Sequence, residues 1–195
     1  MTLLQSIDRL IENISITDKQ EKNIKSSVEN ITNTLEKDDT LHLKETFLNG
    51  SYERDTMIRP LDDIDIFVVL DESYWKDNFG VRRKPQSVLD KIKDFLNDQN
   101  DYKGKVRQDR PCVTVELSNK SFDILPTFEQ MEGYLMPNYN LESWIPTYPK
   151  ILTKNLKNAH RDYSYKLKDI IRVIKYWNKL NGKMIPSFHI EEVAI

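Results

Sequence analysis

The stretch that decides the fold is Leu61-Asp62-Asp63-Ile64-Asp65-Ile66-Phe67-Val68-Val69-Leu70. Apolar side chains at 64, 66, 68 and 70 alternate with Asp63 and Asp65, and this period of two predicts a β-strand with both carboxylates on one face. Placing the pair at Asp62 instead would break the alternation. Two carboxylates on one partly buried face repel each other unless a cation lies between them. Mg²⁺, which prefers oxygen ligands, would remove this repulsion.

A second pair of strands is predicted farther along the chain. Residues 112–117 and 121–125 alternate between apolar and polar side chains and are joined by a short turn at 118–120. We expect Pro126 to end the second of these strands, because proline donates no hydrogen bond to a neighbouring strand.

Asp123 lies in this second strand between two apolar residues, so it should face away from them. A third carboxylate on a neighbouring strand would complete a two-metal site that binds Mg²⁺ or Mn²⁺. Asp123 is the candidate for that carboxylate, and Glu116 is its rival.

Helices are predicted before and after these strands. Apolar residues recur at helical spacing from Leu3 to Ile14, and Thr17 with Gln20 forms the pattern of a capping box for a second helix that starts near Asp18. Residues 88–97 and 164–180 predict two more helices, and a last one starts near Ser187, for which the simplest role is that of an N-cap. The apolar side of the helix over 164–180 is predicted from Leu167, Ile171, Ile174 and Trp177.

Composition excludes several classes of protein. The chain has 195 residues, a net charge of −2, one cysteine and no apolar run that approaches the ~20 residues needed to span a bilayer. We therefore expect a cytoplasmic protein with no membrane partner. The near-neutral charge does not favour a strong nucleic-acid binder, so a nucleic-acid partner is not required.

Charge is unevenly distributed along the chain. Residues 52–72 hold 2 basic and 7 acidic side chains, whereas residues 149–183 hold 10 basic and 2 acidic ones. The two stretches could face each other across a cleft, or they could be two separate solvated faces.

The ordered set Gly50-Ser51, Asp63-Ile64-Asp65 and Asp123 resembles the nucleotidyltransferase superfamily related to DNA polymerase beta. In a site of this kind, Gly50 lets a phosphate approach the backbone, and Ser51 offers a hydroxyl and an N–H group. The resemblance implies that all three aspartates hold metal ions and are catalytic.

A narrower resemblance covers most of the chain. The run 50–61, the Asp123-Ile124-Leu125-Pro126 segment and the Lys175-Tyr176-Trp177-Asn178 helix resemble bacterial CD-NTases, relatives of cyclic GMP-AMP synthase and oligoadenylate synthase in anti-phage signalling. The resemblance implies that Lys175 and Ser187 contact the triphosphate of a donor nucleotide and that Phe188 stacks on a base.

The expected fold is therefore α/β in the α+β sense, with a mixed-sheet nucleotidyltransferase core packed on helices. We assign 1–130 to the core, including two N-terminal helices, and 131–195 to a crossing segment and a partial helical lobe, incomplete at the C-terminus.

The expected function is a Mg²⁺-dependent enzyme that joins NTPs into a cyclic or short linear oligonucleotide and releases pyrophosphate. Transfer to RNA, a small molecule or a protein is the alternative, as is a non-catalytic nucleotide- or partner-binding module. A regulatory partner protein is possible.

Overall fold

The computed structural model describes residues 2–118 and 120–195, which form two compact units. Residues 2–22, 49–62 and 149–195 form the first, here called the helical unit, and the other described residues form the second, here called the sheet unit. The sequence analysis divides the chain at one point, near residue 130, whereas each of these units contains several separate stretches of the chain. The predicted division into 1–130 and 131–195 therefore stays a prediction.

The elements follow one another as expected for an α+β chain. The helices are α1 (Leu3–Ile14), α2 (Asp18–Leu35), α3 (Gly50–Glu53), α4 (Pro85–Asp98), α5 (Pro149–Asp162), α6 (Leu167–Leu180) and α7 (Ser187–Val193). The strands are β1 (Leu43–Asn49), β2 (Ile64–Leu70), β3 (Val106–Asp109), β4 (Cys112–Leu117), β5 (Lys120–Glu129), β6 (Tyr134–Pro137) and β7 (Trp144–Thr147). Among the described helices, none is long and apolar enough to cross a membrane.

The seven described strands form one mixed sheet in the order β1-β2-β5-β4-β3, with β6 joined to β5 and β7 to β6. β2 and β5 are parallel, whereas β4 pairs with β5, and β3 with β4, in the antiparallel direction. The parallel pair requires a long crossover, which α4, β3 and β4 supply. The predicted fold class, a mixed sheet with helices, is confirmed.

One face of this sheet is the core of the sheet unit. Every second residue of β2, β4 and β5 is fully or almost fully buried, as the alternation predicts: Ile64, Ile66, Val68, Val113, Val115, Phe122 and Ile124. α4 lies against β3 and β4 and buries Leu89, Ile92 and Leu96. Burial of these side chains stabilises the sheet by roughly 25 cal/mol for each Å² of apolar surface removed from water.

The start of α2 matches its prediction from sequence. The hydroxyl of Thr17 accepts a hydrogen bond from the Gln20 N–H at 3.3 Å, and the Gln20 side chain accepts one from the Thr17 N–H at 3.0 Å. These reciprocal bonds satisfy two N–H groups that the first helical turn leaves without partners. The capping box is therefore confirmed.

The strand after the turn at 118–120 is longer than predicted. β5 continues through Pro126 to Glu129 because β2 pairs with it as far as Phe128, whereas its pairing with β4 ends at Ile124. One edge of β5 is free of β4 where Pro126 lies, so a missing N–H is tolerated there. The predicted crossing segment after residue 130 also contains strands, β6 and β7.

The buried side of α6 differs from the prediction. The helix begins at Leu167, and its buried residues are Leu167, Ile171, Lys175 and Asn178. Ile174 and Trp177, expected on the buried side, are 41% and 53% exposed. One apolar cluster of the helical unit contains Leu156, Leu167, Ile171 and Ile190.

Ile171→Ala and Ile170→Ala form a matched test of which side of α6 is buried. Ile171 is fully buried and Ile170 is 51% exposed. We expect Ile171→Ala to lower the free energy of unfolding by about 2–5 kcal/mol, because it leaves a cavity. Ile170→Ala should change it by less than about 0.5 kcal/mol. Urea unfolding measures both values, and equal losses would contradict this placement.

Candidate active site

Three carboxylates lie near one another on one face of the sheet unit. The parallel register places Asp65 directly beside Asp123, and Asp63 precedes Asp65 by two residues. Asp65 and Asp123 therefore project from the same side of β2 and β5. Asp63, the residue just before β2, accepts a hydrogen bond from Ser121, which shares that face of β5 with Asp123. The buried apolar residues between them point to the opposite side.

Two hydroxyl groups hold these carboxylates. The Thr114 hydroxyl donates to Oδ1 of Asp123 at 2.6 Å, and the Ser121 hydroxyl donates to Oδ1 of Asp63. Thr114 is almost completely buried and lies opposite Asp123 in the β4–β5 register. Hydrogen bonds of this kind fix the direction in which a ligand oxygen points.

Sequence reasoning missed both hydroxyl groups. Ser121 could have been found, because it lies two residues before Asp123 and therefore on the same strand face. Thr114 could not, because its position beside Asp123 depends on the register between two strands. Register is a property of the pairing rather than of either strand alone.

Asp123 has an unfavourable electrostatic environment. Burial raises its pKa, and the negative charge of Asp63 raises the pKa further, against the hydrogen bond from Thr114. Within the described part of the chain, no Lys, Arg or His forms an ion pair with Asp123. A carboxylate of this kind is stabilised when a cation binds beside it.

The two rival carboxylates are already engaged elsewhere. Glu116 projects from β4 and pairs with Nε of Arg107 at 2.7 Å. Asp62 lies 3.5 Å from the ammonium of Lys179 and 3.6 Å from that of Lys183, both in the helical unit. In the β2–β5 register, Asp123 is the residue directly beside Asp65, and neither Glu116 nor Asp62 occupies that place.

The donor set fits a hard divalent cation. Asp63, Asp65 and Asp123 supply carboxylate oxygens, the preferred ligands of Mg²⁺. As the side chains stand, no group of three or more His, Cys, Asp or Glu among the described residues is gathered closely enough to hold a metal ion. Cys112, the neighbouring thiol, has a pKa raised chiefly by burial and is not a ligand for a hard ion.

Gly50 and Ser51 begin α3 in the helical unit. Gly50 is buried and has φ of 72°, in the left-handed region that glycine adopts without strain. The turn closes through backbone bonds from the Arg54 N–H to the Gly50 carbonyl at 3.2 Å and from the Thr56 N–H to the Ser51 carbonyl at 2.9 Å. Two backbone hydrogen bonds and the left-handed φ of Gly50 therefore fix the backbone of the turn that is predicted to bind phosphate.

The other predicted nucleotide ligands also lie in the helical unit. Lys175 is buried, and its ammonium donates to Glu191 and to the carbonyl and hydroxyl of Thr56. Ser187 is exposed and is the first residue of α7 rather than its N-cap, because Pro186 occupies the cap position. Phe188 follows it with 49% of its side chain exposed.

Three basic residues of α6, Lys168, Arg172 and Lys179, bind the acidic segment that precedes β2. Arg172 donates to the carbonyl and to Oδ1 of Asp55, and Lys168 lies 3.5 Å from Oδ2 of the same residue. Farther along α6, Lys179 donates to the Pro60 carbonyl at 2.9 Å. Within the helical unit, therefore, the basic and acidic stretches form direct ion pairs, and they are not two separate solvated faces.

Comparison with known proteins identifies the class of this fold. CdnC of E. coli MS115-1, solved with ATP, is similar with a TM-score of 0.76 and 20% identity over 96% of this chain and 62% of that chain. This similarity shows the fold of a CD-NTase nucleotidyltransferase. A family model described as "Second Messenger Oligonucleotide or Dinucleotide Synthetase domain" matches residues 1–159. The chain belongs to this family, and the predicted resemblance to CD-NTases is confirmed.

Two curated relatives have names that describe different products. A cyclic AMP-AMP-AMP synthase of Acinetobacter sp. is 28% identical over 145 residues, which are 70% of this chain and 40% of that protein. The cyclic dipyrimidine nucleotide synthase CdnE of Cecembia lonarensis is 24% identical over 192 residues, 87% of this chain and 64% of that protein. The chain thus spans about two fifths to two thirds of the length of these relatives.

Arg172→Met tests the ion pairs between α6 and the segment before β2. The Arg172 side chain is 13% exposed, and its loss leaves Asp55 and Asp169 without their main donor. We expect the free energy of unfolding to fall by about 1–3 kcal/mol. Arg161→Met is the matched control, because Arg161 is 61% exposed and, among the described residues, pairs only with its neighbour Asp162. Urea unfolding that gave equal effects for both variants would contradict the arrangement.

Asp123→Asn and Glu116→Gln distinguish the two candidates for the third carboxylate. We expect Asp123→Asn to weaken Mn²⁺ binding at least about 10-fold, since removal even of a residue that only supports a metal ligand costs that much. Glu116→Gln should leave binding within about twofold of wild type, because that carboxylate is paired with Arg107. Titration calorimetry measures both. The reverse order would assign the third position to Glu116.

Proposed function

We propose that this chain contains the catalytic part of a nucleotidyltransferase that joins NTPs into a cyclic or short linear oligonucleotide and releases pyrophosphate. Such a product would be a second messenger in anti-phage defence, in keeping with the family. The whole protein's activity is a proposal, because the chain spans only part of its relatives.

The observation that carries this proposal is the β2–β5 register, with Asp65 beside Asp123 and Asp63 on the same face. This register, rather than the parallel direction of the strands, brings the acidic residues of the two strands to matching positions. Asp123 also lacks a cationic partner in the described part of the chain. Asp123 is half-buried, and its ionised form is stabilised when a cation binds beside it.

Each carboxylate has a proposed role. Asp63 and Asp65 bind Mg²⁺ or Mn²⁺, two ions in the full site, and Asp123 helps to bind one of them. Bound cations would neutralise phosphate charge and orient the reacting oxygens. Asp123 is also the proposed acceptor for the proton of the attacking ribose hydroxyl. The hydrogen bond from Thr114 orients it for this task.

The nucleotide-binding residues remain proposals as well. We assign the triphosphate to the backbone and hydroxyl of Gly50 and Ser51, to Lys175 and to Ser187, and a base to the exposed ring of Phe188. The left-handed conformation of Gly50 and the exposure of Ser187 and Phe188 support these assignments. A Cβ at position 50 would strain the turn.

The bases and the product are open to experiment. The two relatives are named for an adenine-only product and for a dipyrimidine product. Shared family membership therefore does not determine which NTPs this chain uses. Activity in the cytoplasm and control by a partner protein stay predictions.

The first test incubates the full-length protein with all four NTPs and Mg²⁺ or Mn²⁺ and analyses the products by mass spectrometry. We expect a cyclic or linear oligonucleotide together with pyrophosphate. Asp63→Asn should reduce the rate by about 10²–10³-fold, because it removes charge stabilisation at the reacting phosphate. Asp62→Asn is the adjacent control and should retain most activity, because Asp62 is paired with Lys179 and Lys183.

The other outcomes of this test have distinct meanings. Pyrophosphate without a nucleotide-only product would indicate a separate acceptor, such as RNA, a small molecule or a protein. NTP binding that does not require Asp63, with no turnover under either metal, would favour a non-catalytic binding module. Equal losses from Asp62→Asn and Asp63→Asn would contradict the assigned register.

A further inference from the structure

Four buried polar side chains meet in the helical unit around one carboxylate. We call them the Glu191 cluster: Arg54, Thr56, Lys175 and Glu191, which are 6%, 0%, 4% and 1% exposed. Oε2 of Glu191 accepts from Nε of Arg54, and Oε1 accepts from the Thr56 hydroxyl and from the Lys175 ammonium. One side chain of α7 thus joins α6 to the segment that follows α3.

The cluster extends to both ends of the turn proposed to bind triphosphate. Arg54 donates through Nη1 to Oδ1 of Asn49, the residue before the turn, at 3.1 Å. Thr56 donates its N–H to the Ser51 carbonyl, inside the turn, at 2.9 Å. Glu191 binds the side chains of both Arg54 and Thr56, so it supports the turn from two directions.

The direction of each proton in the cluster follows from the donors available. The Lys175 ammonium, a donor only, lies 3.1 Å from the Thr56 oxygen. The single hydroxyl hydrogen of Thr56 is therefore free to go to Glu191, which accepts it. Thr56 therefore contacts Glu191, Lys175 and the Gly50–Ser51 turn at the same time.

The charges of the cluster do not balance. Burial lowers the pKa of Lys175, while the charge of Glu191 opposes this effect. Burial acts to raise the pKa of Glu191, but the charges of Lys175 and Arg54 outweigh it, so the pKa is lowered and the carboxylate is ionised. Two cations thus share one anion inside the cluster.

We propose that Glu191 is a positioning residue for nucleotide binding, which holds Lys175 and the Gly50–Ser51 turn in place through Arg54 and Thr56 without itself touching the nucleotide. This inference rests on the proposed function, in which Lys175 and the turn bind the triphosphate. According to this inference, nucleotide binding requires the carboxylate of Glu191 in α7 in addition to the residues that contact the triphosphate.

The test compares Glu191→Gln with Glu192→Gln in the full-length protein. Glu192 is the next residue, is exposed and contacts only His189 among the described residues. We measure kcat and KM for NTP, and the Kd of a non-hydrolysable NTP, at a temperature where circular dichroism shows each variant folded. For Glu191→Gln we expect KM and Kd to rise at least about 10-fold, the effect of a lost charge-assisted hydrogen bond, with kcat changed less than about threefold. Glu192→Gln should match wild type.

Thr56→Val provides the test if Glu191→Gln does not fold. It removes the bridging hydroxyl without changing any charge, and Thr56→Ser restores the hydroxyl. We expect Thr56→Val to raise the KM for NTP severalfold and Thr56→Ser to return it to near the wild-type value. A purely structural role would lower the melting temperature of Thr56→Val and leave KM and Kd unchanged.

The outcomes separate this inference from the proposed function. Turnover by wild type, with unchanged KM in folded Glu191→Gln or Thr56→Val, overturns the positioning role and leaves the proposed function standing. A fall in kcat without a change in KM or Kd also overturns it. Absence of NTP binding and turnover in wild type itself would overturn the proposed function, and the inference with it.

Discussion

Register in the parallel pair β2–β5 is the constraint on which the candidate active site depends. With Ile64 opposite Phe122, the apolar residues of both strands meet in the core, and Asp65 then necessarily lies beside Asp123. A shift of one residue would bury the carboxylates and expose the core side chains. The hydrophobic effect therefore selects the register, and the position of the acidic residues is its consequence.

Charge organises the helical unit in a similar way. The basic side of α6 packs onto the segment of residues 55–62, through Asp55, the Pro60 carbonyl and Asp62. Lys175, in the middle of this side, reaches the buried Glu191. Buried charges are costly unless they are paired, so each of these contacts restricts where α6 and α7 can lie. The same contacts leave Ile174 and Trp177 exposed, although their apolar character suggests burial.

The accuracy of the sequence-based predictions followed the strength of local signals. β2 was recognisable from the alternation over 63–66, β4 from the alternation over 113–117, and α2 from its capping box. β1 was missed because it lies at an edge of the sheet and its burial does not alternate cleanly. α5 was missed because only two of its residues, Pro149 and Leu156, are buried. An element with few buried contacts leaves little periodic signal in its sequence.

The sequence by itself determined the types and order of the chemical groups: the Gly50–Ser51 pair, the Asp63–Asp65 spacing and Asp123 on a later strand. These features are local, because alternation and turn chemistry depend on neighbouring residues. Only the tertiary structure decided that Asp123 rather than Glu116 lies beside Asp65, that Thr114 orients it, and that Glu191 binds Arg54 and Lys175. Each of these three contacts depends on which distant segments pair and on which charged side chains are buried together. The packing of the chain determines both.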